Sequence, residues 1–271
     1  MGAHLNLSGA TRVLAIIGDP IKQVKSPGSV TDALNARGQD AVVVPIHVTP
    51  QDVNAFIGAF GLCRNVDGII VTIPHKFATY PHCASATERA DFLGAVNILR
   101  RNADGSWHGD MVDGMGMVGG IVKQGGDPRA KRALLVGAGG AGTAIALALL
   151  EAGVSFLAIH DADVTRRDAL IDRLRQRFPD NVGVGSADPS GFRLVVNATP
   201  MGMKPEDPFP VEIDKLSSDT FVACAITSPH VSPWIEAARA RGCKGSVGLD
   251  MFAALQDLMV DFLLESKPLT S

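Results

Sequence analysis

Two residues in this chain are placed to move a proton. Lys76 closes the run VTIPHK (Val71 to Lys76), directly after an apolar stretch, and Asp113 stands in MVDGMGMVGG, at the head of a glycine-dotted helical segment. Each alone is ordinary, since a lysine behind a strand is usually solvated and Asp-Gly is common turn chemistry. At strand ends facing a dinucleotide site they become an acid–base pair. An alcohol oxidised by hydride transfer must also lose its hydroxyl proton, and a lysine takes that proton when its surroundings lower a reference pKa of about 10.4.

The dinucleotide site is predicted by KRALLVGAGGAG (Lys131 to Gly142) and the uncharged run TAIALALLEAG behind it. A short apolar strand, a tight turn and a helix start place glycines at Gly137, Gly139 and Gly142, with Ala138, Gly140 and Ala141 between them. This is G-x-G-x-x-G in its required strand–turn–helix context. The glycines serve the turn, the approach of backbone to a pyrophosphate and the packing of helix on strand, while amides at the helix N-terminus attract the phosphate charge. Asp161 lies nineteen residues beyond Gly142 and ends the next predicted strand, VSFLAIHD, just after His160. An acid there accepts hydrogen bonds from the ribose hydroxyls and repels a 2′-phosphate, so NAD is favoured over NADP. The arginine-rich helix from Arg166 reads as a solvated face, with the alternative that Arg166, one turn beyond that strand end, reaches the same cofactor. A glycine turn that only packs a helix, and a site for another adenosyl ligand, are the competing readings.

Strands alternating with helices must carry these groups. VLAIIG (Val13 to Gly18), AVVVPIHV (Ala41 to Val48) and VDGIIVTI (Val66 to Ile73) read as buried strands. Pro27 opens a helix between the first two, and Thr49 with Pro50 supplies an N-cap and first turn for a helix through Phe60. Asn102 to Gly105 form the turn of a hairpin between GAVNILRR and SWHGD. Later strands are Arg193 to Met203, which passes into a loop, and Thr220 to Pro229, and a terminal amphipathic helix begins at Gly248. The class is α/β with parallel sheets, whose ligands gather at the carboxyl ends of strands. A boundary falls near Met111.

With 271 residues, 46% hydrophobic and a net charge of −3, the chain has room for two globular domains and no bias toward nucleic acid or an anionic membrane. Ala133 to Leu150 is uncharged for eighteen residues, the length of a membrane span, but its glycine turn marks a soluble βα unit. Four cysteines without CxxC spacing, and seven histidines without ligand spacing, predict no metal site and a reducing, cytoplasmic setting. The N-terminus lacks the pattern of a signal peptide.

In order and spacing, VTIPHK, GAVN (Gly94 to Asn97), GDMVDG (Gly109 to Gly114), GAGGAG, NATPMGM (Asn197 to Met203) and GLDM (Gly248 to Met251) resemble shikimate dehydrogenases, and the opening GDPIKQVKSP resembles their first substrate loop. The resemblance spans nearly the whole chain. It implies an N-terminal α/β substrate domain over residues 1–110, completed by 248–271, a Rossmann domain over 111–247, and a cleft between them. It further implies reversible NAD(P)-linked interconversion of a ring alcohol and ketone in shikimate, quinate or a related cyclic hydroxy acid, by a monomer or homodimer. Lys76 and Asp113 match the catalytic positions. Ser26, Thr72, Asn97, Thr227 and Gln256 fall at or beside substrate positions, Asn197, Ala198 and Thr199 match the loop beneath the cofactor, and Gly248 and Met251 lie near the nicotinamide.

The departures fall on the substrate side. Val24 stands for the first serine of Ser-x-Ser-Pro, Ile70 for an asparagine, Met111 and Val112 for Asn-Thr, Thr227 for a tyrosine, and Leu255 for a glutamine that arrives one place late as Gln256. One place on a helix rotates a side chain by about 100°. A site that loses hydroxyl and carboxylate partners discriminates against substrates that need them, so a different, less hydroxylated cyclic hydroxy acid is expected. The same losses support an alternative, a non-catalytic dinucleotide or metabolite sensor that kept the fold. The Asn-Arg-Thr of NADP-users is replaced by His160-Asp161-Ala162, which again points to NAD.

Overall fold

The computed structural model describes residues 7–265. The chain divides into two compact units, the described parts of Met1–Met111 with Gln256–Ser271, and Val112–Leu255.

In the first unit the order is β1 (Arg12–Gly18), α1 (Ser26–Ala36), β2 (Ala41–His47), α2 (Val53–Phe60), β3 (Val66–Val71), α3 (Lys76–Thr79), β4 (Cys83–Ala86), α4 (Glu88–Leu93), β5 (Ile98–Arg101) and β6 (Trp107–Asp110). The sheet runs β2-β1-β3-β5-β6-β4. β1 pairs in parallel with β2 and β3, whereas β5 is antiparallel to both β3 and β6. The sheet is therefore mixed: β5 runs against β1–β3, and the Asn102–Ser106 turn folds β6 back beside it as a hairpin. Leu14, Ile17, Ile69, Ile70 and Ile98 are fully buried, as expected for strands covered on both faces.

Several boundaries differ from the sequence reading; the strand expected over Thr220 to Pro229, for one, is only Phe221–Cys224. α2 begins at Val53, with Asp52 at its N-cap, rather than at Pro50. Thr49 instead closes a turn, its carbonyl accepting from Asp52 N–H at 3.1 Å and its hydroxyl donating to the Asp52 carboxylate at 2.8 Å. β3 stops at Val71, which leaves Thr72 and Ile73 in the loop.

The second unit runs α5 (Asp113–Lys123), β7 (Arg132–Val136), α6 (Gly140–Glu151), β8 (Phe156–His160), α7 (Val164–Arg175), β9 (Val182–Val184), β10 (Leu194–Asn197), β11 (Phe221–Cys224), α8 (Pro233–Ala240), β12 (Lys244–Ser246) and α9 (Gly248–Leu264). Its sheet, β12-β11-β10-β7-β8-β9, is parallel throughout. Strand order reverses between β7 and β10, the doubly wound arrangement whose ligands sit at that reversal. The Ala133–Leu150 stretch divides between β7 and α6, and no helix among the described residues is long and apolar enough to cross a membrane. Trp234 on α8 and Leu134, Val195 and Val222 on the strands form its core.

α9 belongs to both units, Gly248–Leu255 to the second and Gln256 onward to the first. The end of the predicted terminal helix, at Ser266, lies outside the described residues. The bounds of the substrate and Rossmann domains drawn from the resemblance cut α9 at its start instead.

Candidate active site

In the first unit Lys76, Thr72 and Asn97 gather at the carboxyl end of β3, tied by main chain. Val71 N–H donates to the Asn97 carbonyl at 2.8 Å, Val96 N–H donates to the Lys76 carbonyl at 3.1 Å, and Asn97 N–H donates to the Asp110 carbonyl at 2.9 Å. Lys76 opens α3 and is 7% exposed, and Asn97 is 1% exposed. Thr72 lies between β1 and β3, where this sheet also reverses order. A Cβ on Gly18 would stand 2.4 Å from the Thr72 methyl, so glycine at the end of β1 admits that threonine. Ser26 is buried as the first residue of α1.

Two further groups support these: His75, which the sequence places at the same strand end, and Asp110, which went unnoticed in the sequence. His75, buried beside Lys76, donates Nε2–H to the Val48 carbonyl at 2.7 Å, locking the loop that carries the lysine. Asp110 takes the Thr87 hydroxyl, both arms of the Arg89 guanidinium and the Met111 N–H at 2.7 Å. It fixes the end of β6, next to Asn97, the residue just before β5. The only sequence signal for it is its place in GDMVDG, and neither Thr87 nor Arg89 carries one.

The departures acquire physical settings. Ile70 is buried on β3, registered between Ile16 of β1 and Ile98 of β5, so an apolar side chain continues the sheet core there. Leu255 packs its Cβ against Gly116 of α5, where a glycine Cβ would meet it at 3.0 Å, and Gln256 is half-buried on the next step of the helix. Val24 is half-buried in the loop before α1, and Met111 is buried.

In the second unit Asp113 is the first residue of α5 and is 4% exposed. The fingerprint is built as read. Gly137 adopts φ +104°, and a Cβ on Gly142 would lie 1.9 Å from the Gly137 carbonyl, so both positions demand glycine. Gly139 is the N-cap of α6, and Gly140, Ala141 and Gly142 form its first turn. A turn of this shape at a helix N-terminus, at the reversal of strand order, fits a dinucleotide pyrophosphate.

Asp161, the first residue after β8, is a buried carboxylate. It accepts from Ala138 N–H at 2.6 Å, Asp163 N–H at 2.9 Å and the Arg166 guanidinium at 2.7 Å. Burial raises its pKa, but Arg166 and the two amides outweigh that and hold it below the usual carboxylate range. The Ala138 amide is thereby engaged inside the protein. His160 is the last residue of β8, paired opposite Val136, with its carbonyl accepting from Gly137 N–H at 2.8 Å.

Asn197 ends β10, and Ala198 and Thr199 follow it, on the other side of the reversal. Thr227, Gly248 and Met251 come together after β11: a Cβ on Gly248 would lie 2.0 Å from the Ile226 carbonyl and 2.9 Å from Thr227 N, while Met251 packs on Gly120. The predicted residues thus form two groups, one in each unit. Among the described residues no set of His, Cys, Asp and Glu could hold a metal ion.

Comparison with known proteins follows the same lines. The model of the shikimate dehydrogenase substrate binding domain matches residues 16–99. The NADP+-dependent shikimate dehydrogenase of Paracoccus denitrificans is 35% identical over 243 residues, covering 87% of this chain and 84% of that protein. The solved quinate dehydrogenase of Corynebacterium glutamicum, in complex with NAD, is 28% identical, covers 95% of each chain and has a TM-score of 0.85. The ligand-free 5-ketofructose reductase of a Gluconobacter strain is 26% identical, covers 96% of this chain and 95% of that one, and has a TM-score of 0.81. With a relative above 30% identity along most of its length, the chain belongs to the shikimate dehydrogenase family and is an NAD(P)-linked oxidoreductase of that kind.

Proposed function

We propose that this oxidoreductase interconverts the ring alcohol and ketone of a cyclic hydroxy acid less hydroxylated than shikimate, with Lys76 and Asp113 as its proton-handling pair and NAD as its preferred cofactor. The observation that carries the reading is the burial of both Lys76 and Asp113. Lysine and aspartate are almost never buried without a paired or chemical role, and both lie at element ends where α/β sheets place ligands.

When bound, the nicotinamide takes up or delivers the hydride. Lys76 Nζ accepts the hydroxyl proton during oxidation and returns it during reduction. Asp113 stabilises the ammonium that results and orients the hydroxyl. Asn97, Thr72 and Ser26 supply amide and hydroxyl contacts to the ring substituents, with Thr227 and Gln256 as further polar contacts. The apolar residues at Val24, Ile70, Met111 and Leu255 remove partners that a polyhydroxylated acid needs, and an unpaired polar group in a dry site is costly.

Gly137 to Gly142 receive the pyrophosphate and Gly248 and Met251 border the nicotinamide. The Asp161 carboxylate accepts from the adenosine ribose and repels a 2′-phosphate. Arg166 offsets part of that repulsion, so NADP binds more weakly rather than not at all. Four unbridged cysteines, Cys63, Cys83, Cys224 and Cys243, accord with a reducing cytoplasm.

The test is a steady-state panel of cyclic hydroxy acids with each nicotinamide cofactor. Turnover of a member lacking one or more shikimate hydroxyls, faster with NAD, is expected. Failure with every acid while NAD still binds would favour a sensor that kept the fold. NADP affinity equal to or tighter than NAD would overturn the argument from Asp161.

A further inference from the structure

Asn197 ends β10 where the second sheet reverses order, registered between Val136 of β7 and Cys224 of β11. Its side chain is fully buried, and both ends of its carboxamide are engaged. Oδ1 accepts from Thr199 N–H at 3.0 Å and from the Thr199 hydroxyl at 2.6 Å. Nδ2 donates to the Met201 carbonyl at 3.1 Å and lies 3.7 Å from Cys224 Sγ. The Thr199 hydroxyl in turn accepts from Met201 N–H at 3.1 Å. One amide group therefore bends residues 198–201 around itself.

That bend rests on the glycine turn. A Cβ on Gly137 would meet the Ala198 carbonyl carbon and the Thr199 methyl, each at 2.9 Å, and one on Gly142 would meet the Ala198 Cβ at 3.5 Å. The conformation of Gly137, at φ +104°, is thus braced from below by the segment that Asn197 shapes.

We propose that Asn197 is a positioning residue rather than a cofactor contact: through Thr199 it holds the Gly137–Gly142 turn in the form that receives the dinucleotide pyrophosphate. The proposal rests on reading this unit as a dinucleotide domain. A buried amide can do this because its donor and acceptor ends are fixed and chemically distinct. In Asn197→Asp the acceptor for Thr199 survives, but an oxygen replaces the donor facing the Met201 carbonyl, and two acceptors then oppose each other in a dry site.

The experiment measures NAD binding by calorimetric titration of the full chain, and initial rates, for wild type, Thr199→Val, Thr199→Ser and Asn197→Asp. Thr199→Val keeps the shape and loses the hydroxyl, so its NAD Kd should rise about tenfold. Thr199→Ser keeps the hydroxyl and should recover most of that affinity. The effect should fall on KM for NAD and not on kcat, a split that general loss of structure would not produce. Should Asn197→Asp fail to fold, the Thr199 pair decides the matter. NAD binding by Thr199→Val equal to wild type, or a fall in kcat with KM unchanged, would overturn the proposal. Wild-type protein that binds neither NAD nor NADP would overturn the dinucleotide reading beneath it.

Discussion

On the function proposed above, the two units prepare for a ligand with different parts of the chain. The second does so chiefly with backbone: a turn that tolerates only glycine at Gly137 and Gly142, a helix N-terminus, and one carboxylate held by amides. The first does so with side chains, Lys76, Asn97, Thr72 and Ser26, held by hydrogen bonds between strands distant in sequence. A backbone site is generic, serving any dinucleotide enzyme of this topology. A side-chain site is particular, and its meaning changes when a neighbour such as Ile70 or Val24 changes.

The contrast can be broken by variants that should separate chemistry from cofactor binding. Lys76→Ala should lower kcat by about 10²- to 10⁴-fold, the usual scale for a general acid–base group, while NAD binding in titration stays at the wild-type value. If turnover survived in the folded variant, the first unit would not house the proton transfer. Gly142→Ala should do the reverse. Its Cβ would press on the Gly137 carbonyl, costing about 1–3 kcal/mol of stability and most of the NAD affinity, as read by thermal unfolding and titration.

A smaller effect sharpens the particular side of the contrast. Val24→Ser restores one hydroxyl to the substrate loop, and kcat/KM for shikimate should rise by up to about tenfold, one hydrogen bond's worth. No change would mean that the loop does not meet the substrate. The smallest effect concerns acid. Because the Asp161 pKa is lowered on folding, its stabilisation is present above the unfolded value of about 3.9 and disappears as pH falls through the lower folded value. The gap in Tm between wild type and Asp161→Asn should therefore close as pH drops from about 5 to about 2.

Legibility in the sequence followed the same division. The fingerprint, the acid at Asp161 and the alternation of strand and helix were readable because each is local: glycines at fixed offsets, apolar runs, a residue at a strand end. The N-terminus of α2 was misplaced because Thr49 and Pro50 imitate a cap, whereas the structure spends the Thr49 hydroxyl on Asp52 within a preceding turn. The short strands β4, β9 and β12 went unread, since three or four residues carry little periodicity and their pairing depends on partners elsewhere. The Thr87–Arg89–Asp110 cluster was hidden for the same reason. Its members are unremarkable until β6 brings the aspartate back to the start of α4. Ala138 and Asn197, which the sequence reading assigned to the cofactor, have polar atoms engaged within the protein, a pairing that no local pattern announces.

The glycines of α5 have a mechanical consequence. A Cβ on Gly114 would lie 2.1 Å from the Ala144 carbonyl of α6, and one on Gly120 would lie 2.8 Å from Met251 N of α9, so α5 meets both neighbours backbone to backbone. At these two glycines no side chain separates the backbones. The helix that begins at Asp113 is therefore a strut set directly against the helix that carries the glycine turn. A small displacement of α6 is passed to Asp113 without slack, and in hydrogen exchange the amides of α5 and α6 should open together, as one cooperative segment.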